Sequence, residues 1–482
     1  LRNLRAMNTE AMRVQFIAGA WRAGRGSRML EVTDPARAEV LLRYPAASRA
    51  DIDDALAAAD GARAWGALTA LERCTVLRRG AQALRAQADA LARQLTHEQG
   101  KPLAEAGREI EQAAQMIEWY AEEGRRCYGQ TIPSRFAGTR FHTLRLPIGP
   151  VAAFTPWNFP VMLSAIKVGA ALAAGCPVIL KPAEETPLAV AGLVRCLADA
   201  GVPGSALQLL LGDPAEISSA LIASPVIRKV SFTGSQGVGR LIAEQAGHHL
   251  KPVTLELGGH APAIVCADAD PHAAVRVLGQ IKLRNAGQIC ANPSRFLVHR
   301  SHQAAFVEAF AELARATRVG AGLQPQTAMG PLASRRRLDA VAALVDDARD
   351  HGARIVCGGS PLPGPGWFYP PTVLDAVPQA ARVMREEPFG PLVPVAAFDT
   401  LDEAIAQANA LPVGLAAFGF TQDLHAARRL AEEVHAGAVA INTVTLMQPE
   451  TPFGGVLDSG LGRENGPQGI DAYLSTRSVV TA

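Results

Sequence analysis

With 482 residues and 49% hydrophobic content, the chain is long and apolar enough to bury the cores of two or three domains. A formal net charge of +2, without any sustained run of Lys or Arg, argues against nucleic acid or an anionic membrane surface as the main partner and leaves small molecules. Seven cysteines (74, 127, 176, 196, 266, 290 and 357) lack metal-ligand spacing and are odd in number. Leu1-Arg-Asn-Leu-Arg opens no apolar leader, and no apolar run reaches the roughly 18 residues of a membrane span, so no metal, no membrane and a reducing, cytoplasmic setting are expected.

In chain order, residues 13–44 read as short strands and turns, and Ser48-Arg-Ala-Asp51 as a capping box opening an alanine-rich helix. Helices dominate to about residue 126, with Ile110, Ala113, Ala114 and Ile117 at the spacing of a core stripe. From 129 to 146 the pattern is extended and broken by Pro133 and Gly138, as in a protruding hairpin. Apolar strands are then predicted at 150–154, 176–180, 207–211 and 228–232, alternating with helices near 164–174, 186–200, 214–223 and 237–246. That alternation predicts a mostly parallel, doubly wound sheet. A second α/β series follows Glu256, with helices near 272–285, 301–316, 334–350, 400–410 and 423–435 and strands near 295–299, 354–357, 393–398, 416–420 and 438–441. Glycine and proline crowd a predicted surface loop at 358–371. The terminal Ser478-Val-Val-Thr run reads as an edge strand in need of a partner.

Chemistry gathers at a few of these junctions. Gly234-Ser235-Gln-Gly-Val-Gly239 follows a strand and opens a helix, where free N–H groups and the helix dipole suit a pyrophosphate; its spacing is not the usual dinucleotide fingerprint, and a plain strand-to-helix turn reads the same. At the next strand end, Lys181-Pro-Ala-Glu184-Glu185 sets a cation and a carboxylate where a ribose would rest, and the glutamates equally suit a helix start. Glutamate there accepts from ribose hydroxyls and repels a 2′-phosphate, which favours NAD over NADP. Only six lysines occur among 47 basic residues, so Lys167 and Lys181 stand out as places where a compact ammonium is wanted; the other four show no evident role. In Asn285-Ala286-Gly287-Gln288-Ile289-Cys290, the thiol has small and amide neighbours and a glycine that lets a substrate approach, as a nucleophile needs. Glu256 closes the run Val253-Thr-Leu-Glu at a strand end, where desolvation would raise its pKa towards that of a neutral-pH base. Taken singly, the cysteine reads as a small buried hydrophobe and the glutamate as a solvated strand end.

Together with Pro156-Trp157-Asn158-Phe159-Pro160, Phe232-Thr-Gly234-Ser235, Glu256-Leu-Gly-Gly, Glu386-Glu387-Pro-Phe389-Gly-Pro and Pro452-Phe453-Gly-Gly, these motifs in this order resemble the NAD(P)-dependent aldehyde dehydrogenases along almost the whole chain. The resemblance implies Cys290 as nucleophile, the Asn158 amide and the Cys290 N–H as oxyanion donors, and Glu256 as the base that hydrolyses a thioester. It further implies Lys181 and Glu184 on the adenosine ribose, Gly234 and Ser235 at the pyrophosphate, Glu387 on the nicotinamide ribose and Phe389 beside the nicotinamide. Lys167 matches a family lysine near the active site and is placed with the catalytic residues, while Trp157 is placed with the cofactor-binding residues and, with Phe453, would line the aldehyde tunnel. The architecture it implies is a Rossmann-like cofactor domain (1–128 with 147–255), a catalytic domain (256–466) and a bridging element (129–146 with 467–482) that makes homodimers, often paired into homotetramers. Glu256 favours hydrolysis over the coenzyme A-acylating branch.

Lys282-Leu-Arg284-Asn285 is similar to the stretch before the nucleophile in succinate-semialdehyde dehydrogenases, where an arginine at the position of Arg284 holds the substrate carboxylate. Ile166, Asn292 and the loop 443–450 depart from that group, and Leu457 from a lysine common in the family. The expected substrate is therefore a short aldehyde with an anionic tail, with Arg284 either its anchor or a surface salt-bridge residue.

Overall fold

The computed structural model describes residues 12–482, so the reading of the first five residues lies outside it. Two parallel-centred sheets organise the chain. The first runs, edge to edge, Ala20–Arg22, Gln15–Ile17, Leu207–Leu209, Val178–Pro182, Val151–Thr155, Lys229–Gly234, Val253–Leu257 and Gly460–Leu461. Its inner strands pair in parallel, and every residue of Val151–Thr155 and Val178–Pro182 is buried, as expected where helices cover both faces. The helix Pro160–Ala174 is buried at all fifteen positions because Leu103–Glu123 covers the side that the sheet does not. That covering helix buries Ile110, Ala113, Ala114 and Ile117, the predicted stripe. The Ser48–Asp51 capping box is closed in both directions.

The second sheet has the order Arg354–Cys357, Thr372–Asp375, Leu392–Phe398, Pro293–His299, Ala261–Val265, Ala416–Phe420 and Ala438–Ile441. Ala261–Val265 is a central strand that the sequence reading omits. Proline ordinarily argues against such a position, and here a register shift between Ala261 and Pro262 absorbs the missing donor. Thr372–Asp375 was likewise hidden at the end of the Gly/Pro-rich loop.

Three further differences bear on the site. The helix expected at 272–285 ends at Lys282, and a short 3-10 turn, Arg284–Gly287, follows. The segment expected to belong wholly to the catalytic domain, 256–466, sends Gly460–Leu461 back to pair with Leu255 and Glu256 in the first sheet. The helix predicted from residue 164 begins at Pro160, where a proline at the first helical position leaves no N–H without a partner. Arg140–Pro147 pairs antiparallel with Leu474–Thr481 over all eight positions and carries Thr131–Ile132 on its other edge, so the hairpin and the tail form one small sheet. No helix among the described residues is long and apolar enough to cross a membrane.

Candidate active site

The first sheet ends its strands at Thr155, Gly234 and Leu257, and the chain then crosses through Gly258 and Gly259 into Ala261–Val265 of the second. Ligands of open α/β sheets bind at the carboxyl ends of the strands, and a cleft opens there. On its far wall the turn before Cys290 is tightly bent. Asn285 and Ala286 take left-handed conformations (φ 50° and 52°), and Gly287 follows at φ 75° with its Cα against the main chain of Gly390, where a side chain would collide. Strain of this kind is kept only where the surroundings hold it, and it delivers Cys290 to the point where two cavities meet.

One cavity, of about 230 Å³, is lined by Trp157, Asn158, Gly234, Ser235, Glu256 and Cys290, with Glu387 and Phe389 opposite. Burial pushes the Glu256 carboxyl up to about 8, Glu464 adds to the rise, and the Lys167 ammonium opposes it. Both Glu256 oxygens are buried without a hydrogen bond. The Cys290 thiol is raised well above its ordinary value by burial and then by the Glu256 and Glu387 charges, so the resting group is the thiol, with a base beside it. The Asn158 amide nitrogen donates to the main-chain oxygen of Gln288 at 3.1 Å, which leaves its second N–H for another acceptor.

The same cavity carries groups that would hold one end of a dinucleotide. Ser235 precedes the helix Gln236–His248 with its side chain unused as a cap, so the first N–H groups are open to an anion. Thr233 Oγ1 and Glu387 Oε1 are buried without partners. Glu387, pushed to about 8 by burial against the pull of Arg337, reaches so close to Gly258 that a Cβ there would collide with its Oε2. Phe389, itself at φ 41°, meets Trp157 edge to face at 5.5 Å. Lys181 and Glu184 stand at the end of the neighbouring strand, outside this cavity, and pair with each other at 2.8 Å.

Behind the site lie groups that touch neither cavity. Lys167 is fully buried, 2.5 Å from Glu464 Oε1 and 3.2 Å from Ser231 Oγ, so it reaches Glu256 by its field and does not face the cleft. Lys101 donates to the Asn158 carbonyl oxygen at 2.7 Å and to Glu109 at 2.5 Å. Asn285 Nδ2 donates to the same carbonyl at 3.0 Å, and Glu105 accepts from the Asn285 N–H. Lys282 is fully buried with Nζ unpartnered, and burial lowers its ammonium to about 7. Sequence reasoning left Lys101 and Lys282 without a role; the scarcity of lysine was the one signal that pointed at them.

The other cavity, of about 280 Å³, is walled largely by apolar side chains, among them Met116, Phe159, Met162 and Leu446. Arg284 is the one charged side chain on it among the described residues. Its Nη2 donates to Gln112 Oε1 at 3.1 Å, its Nε is buried without a partner, and its guanidinium lies 5.2 Å from the centre of the Phe159 ring. It makes no salt bridge within the described residues, which removes the surface-pair reading. The loop 444–449 closes this cavity. Of the two residues expected on the tunnel, Trp157 keeps its cofactor-side place alone and Phe453 is corrected. Trp157 lines only the cofactor-side cavity, and Phe453 lines neither: it is 1% exposed and packed in the second sheet's core, its backbone bridged to Glu464.

With this geometry in hand, the comparisons are specific. The sequence model described as Aldehyde dehydrogenase family matches residues 21–479. The chain is 50% identical over 463 residues, 96% of each sequence, to 4-(hydroxymethyl)benzenesulfonate dehydrogenase TsaD1 of Comamonas testosteroni. It is 42% identical over 466 residues, again 96% of each, to the NADP-dependent succinate-semialdehyde dehydrogenase GabD of Escherichia coli. The crystal structure of succinate-semialdehyde dehydrogenase from Burkholderia pseudomallei superposes with a TM-score of 0.95 at 42% identity, covering 97% of both chains.

Proposed function

Because the chain belongs to the aldehyde dehydrogenase family, we propose that it oxidises an aldehyde with an anionic tail to the carboxylic acid, with a nicotinamide dinucleotide as oxidant. The observation that carries this reading is the position of Cys290 between two cavities, one with a single guanidinium on its wall and the other lined by Ser235, Glu387 and Phe389. Cys290 Sγ adds to the carbonyl carbon, its proton passing to Glu256. The new oxyanion accepts from the free N–H of the Asn158 amide and from the Cys290 main-chain N–H. A nicotinamide dinucleotide, when bound, supplies the acceptor for the hydride of the aldehyde carbon. What remains on Sγ is a thioester; Glu256 releases the thiol's proton to solvent and, again as carboxylate, takes one from water, the hydroxide adds, and the acid leaves as Glu256 returns that proton to the departing thiolate.

Arg284 supports the anionic tail, since it is the one charged side chain on a largely apolar cavity among the described residues and makes no salt bridge there, and a guanidinium so placed is matched best by an acid. The relatives' names agree in charge and differ in bulk: a benzenesulfonate and a four-carbon dicarboxylic semialdehyde both bear an anion. The methionine and aromatic walls suit an aryl body as well as a short chain. Glu184 supports NAD over NADP. The test compares kcat/KM for succinate semialdehyde, 4-sulfobenzaldehyde and benzaldehyde with the native enzyme and with Arg284→Leu. Selective loss on the two charged aldehydes is expected; equal loss on all three, or none, overturns the assignment of the tail.

We infer also that the chain divides into cofactor, catalytic and bridging parts as outlined from its sequence, with Gly460–Leu461 returned to the first, and that it works as a homodimer or homotetramer in the cytoplasm. The small sheet supports assembly: among the described residues its outer strand Leu474–Thr481 has a free edge, and Ile132, Phe136, Leu144 and Val480 of the sheet and its hairpin are exposed. All seven cysteines are free, which suits a reducing compartment. Sedimentation at micromolar concentration tests the assembly, and a monomer overturns it.

A further inference from the structure

We propose that the buried Lys101–Glu109 pair is a positioning element that sets the distance between the two donors of the oxyanion site, an inference that rests on Cys290 being the nucleophile. Those donors come from different sheets. Asn158 lies between strand Val151–Thr155 and helix Pro160–Ala174 of the first, and Cys290 follows the strained turn that leads into Pro293–His299 of the second. A single turn, residues 99–101, holds both. Lys101 Nζ donates to the Asn158 carbonyl at 2.7 Å, and Gln99 Nε2 donates to Asn285 Oδ1 at 2.8 Å, while the Lys101 N–H ties the turn to Gln99 Oε1 at 3.0 Å.

The two arms then close on each other. Asn285 Nδ2 is the second donor to the Asn158 carbonyl, at 3.0 Å, so both lone pairs of that oxygen are used. Glu109 anchors the lysine at 2.5 Å, and its other oxygen accepts from the N–H groups of Val161 and Met162, at the positive end of the helix that begins beside Asn158. The ammonium also lies 4.0 Å over the Phe159 ring. Lys101 and Glu109 are both fully buried, and neither lines a cavity. A buried ion pair is weak evidence of stability, because its desolvation offsets its attraction. What the pair does supply is a fixed reference between two sheets, and an oxyanion site acts only if its donors stand in place before charge develops.

The test separates two reactions of one thiol. Alkylation of Cys290 by iodoacetamide displaces iodide at a saturated carbon and forms no oxyanion, whereas aldehyde addition does. The variant is Lys101→Met/Glu109→Gln, which buries no unpaired charge and keeps an acceptor for Val161 and Met162; Lys101→Leu/Glu109→Gln, equally free of an unpaired charge, is the second variant should the first not fold. Single-turnover NADH formation at saturating aldehyde is expected to fall about 100-fold while the alkylation rate, followed by mass spectrometry of the Cys290 peptide, stays at the native value. If both rates fall together, the pair merely holds the thiol's surroundings and the inference is overturned; it is overturned too if neither falls. Retained dehydrogenase activity in Cys290→Ser is a separate result that would sink the nucleophile assignment instead.

Discussion

The side-chain amide of Asn158 and the main-chain carbonyl of Gln288 meet at 3.1 Å, a hydrogen bond that joins the two sheets directly beside Cys290. It fixes one amide hydrogen and orients the other, so the donor is aimed before any substrate arrives. Asn158→Ala should therefore lower kcat by about 100- to 1000-fold, the usual cost of losing one preorganised oxyanion donor. Stopped-flow NADH formation in a single turnover is the measurement, because it reports the step in which the oxyanion forms.

Glu256 gives the enzyme a pH dependence with a defined sign. Its carboxyl is raised to about 8 by burial, and only the deprotonated form takes a proton from thiol or water. Turnover should rise as pH passes through about 8 and level off above it. Glu256→Gln should abolish that rise and, because Glu256 serves both proton transfers, lower the single-turnover formation of NADH as well as steady-state turnover, which stopped-flow absorbance would detect. A rate that falls across the same range would contradict the assigned role.

How far the sequence reached can be judged from these residues. The two α/β series were legible because buried parallel strands write themselves as short apolar runs, and Val151–Thr155 and Val178–Pro182 are uninterrupted examples. Cys290, Glu256 and Asn158 were legible as local motifs at a turn, a strand end and a helix entry, and their side chains line one cavity. Ala261–Val265 was not, since Pro262 hides a central strand whose bulge only the pairing partner reveals. Nor was the Lys101 network, whose hydrogen bonds join residues 57 and 186 positions apart. The left-handed pair Asn285–Ala286 also escapes propensity, because asparagine takes that conformation only occasionally and alanine rarely, so two in succession are not announced. Aromatic residues misled for a related reason: a side chain's burial says nothing of which cavity it faces.

Gln112 offers a graded test of the anion end of the substrate cavity. Its Oε1 accepts from Arg284 Nη2 at 3.1 Å and so holds the guanidinium against Phe159. Gln112→Leu should raise KM for charged aldehydes about tenfold, the scale of one hydrogen bond to a charged group, and leave kcat and the uncharged aldehydes nearly unchanged. Steady-state kinetics on the same aldehyde panel decides it.

Glu184 and Lys181, 2.8 Å apart, give a second graded test. The glutamate both offers an acceptor for ribose hydroxyls and neutralises the lysine, so kcat/KM should be higher with NAD than with NADP. Glu184→Ser removes the repulsion of a 2′-phosphate and frees the ammonium to attract it. The NAD-to-NADP ratio should fall by about tenfold or more, equivalent to roughly 1.4 kcal/mol. An unchanged ratio would locate cofactor choice elsewhere.

Phe453 separates packing from catalysis. The ring is 1% exposed and buried among the residues of the second sheet's core, next to a backbone bridge to Glu464, and it lines neither cavity. Phe453→Ala should cost about 3–5 kcal/mol of stability, the range for truncating a buried phenylalanine where the site cannot collapse. Because aldehyde does not touch the ring, KM should stay at its native value in the protein that remains folded. Thermal unfolding and KM measured on the same preparation give the answer: a raised KM with unchanged stability would return Phe453 to the tunnel wall.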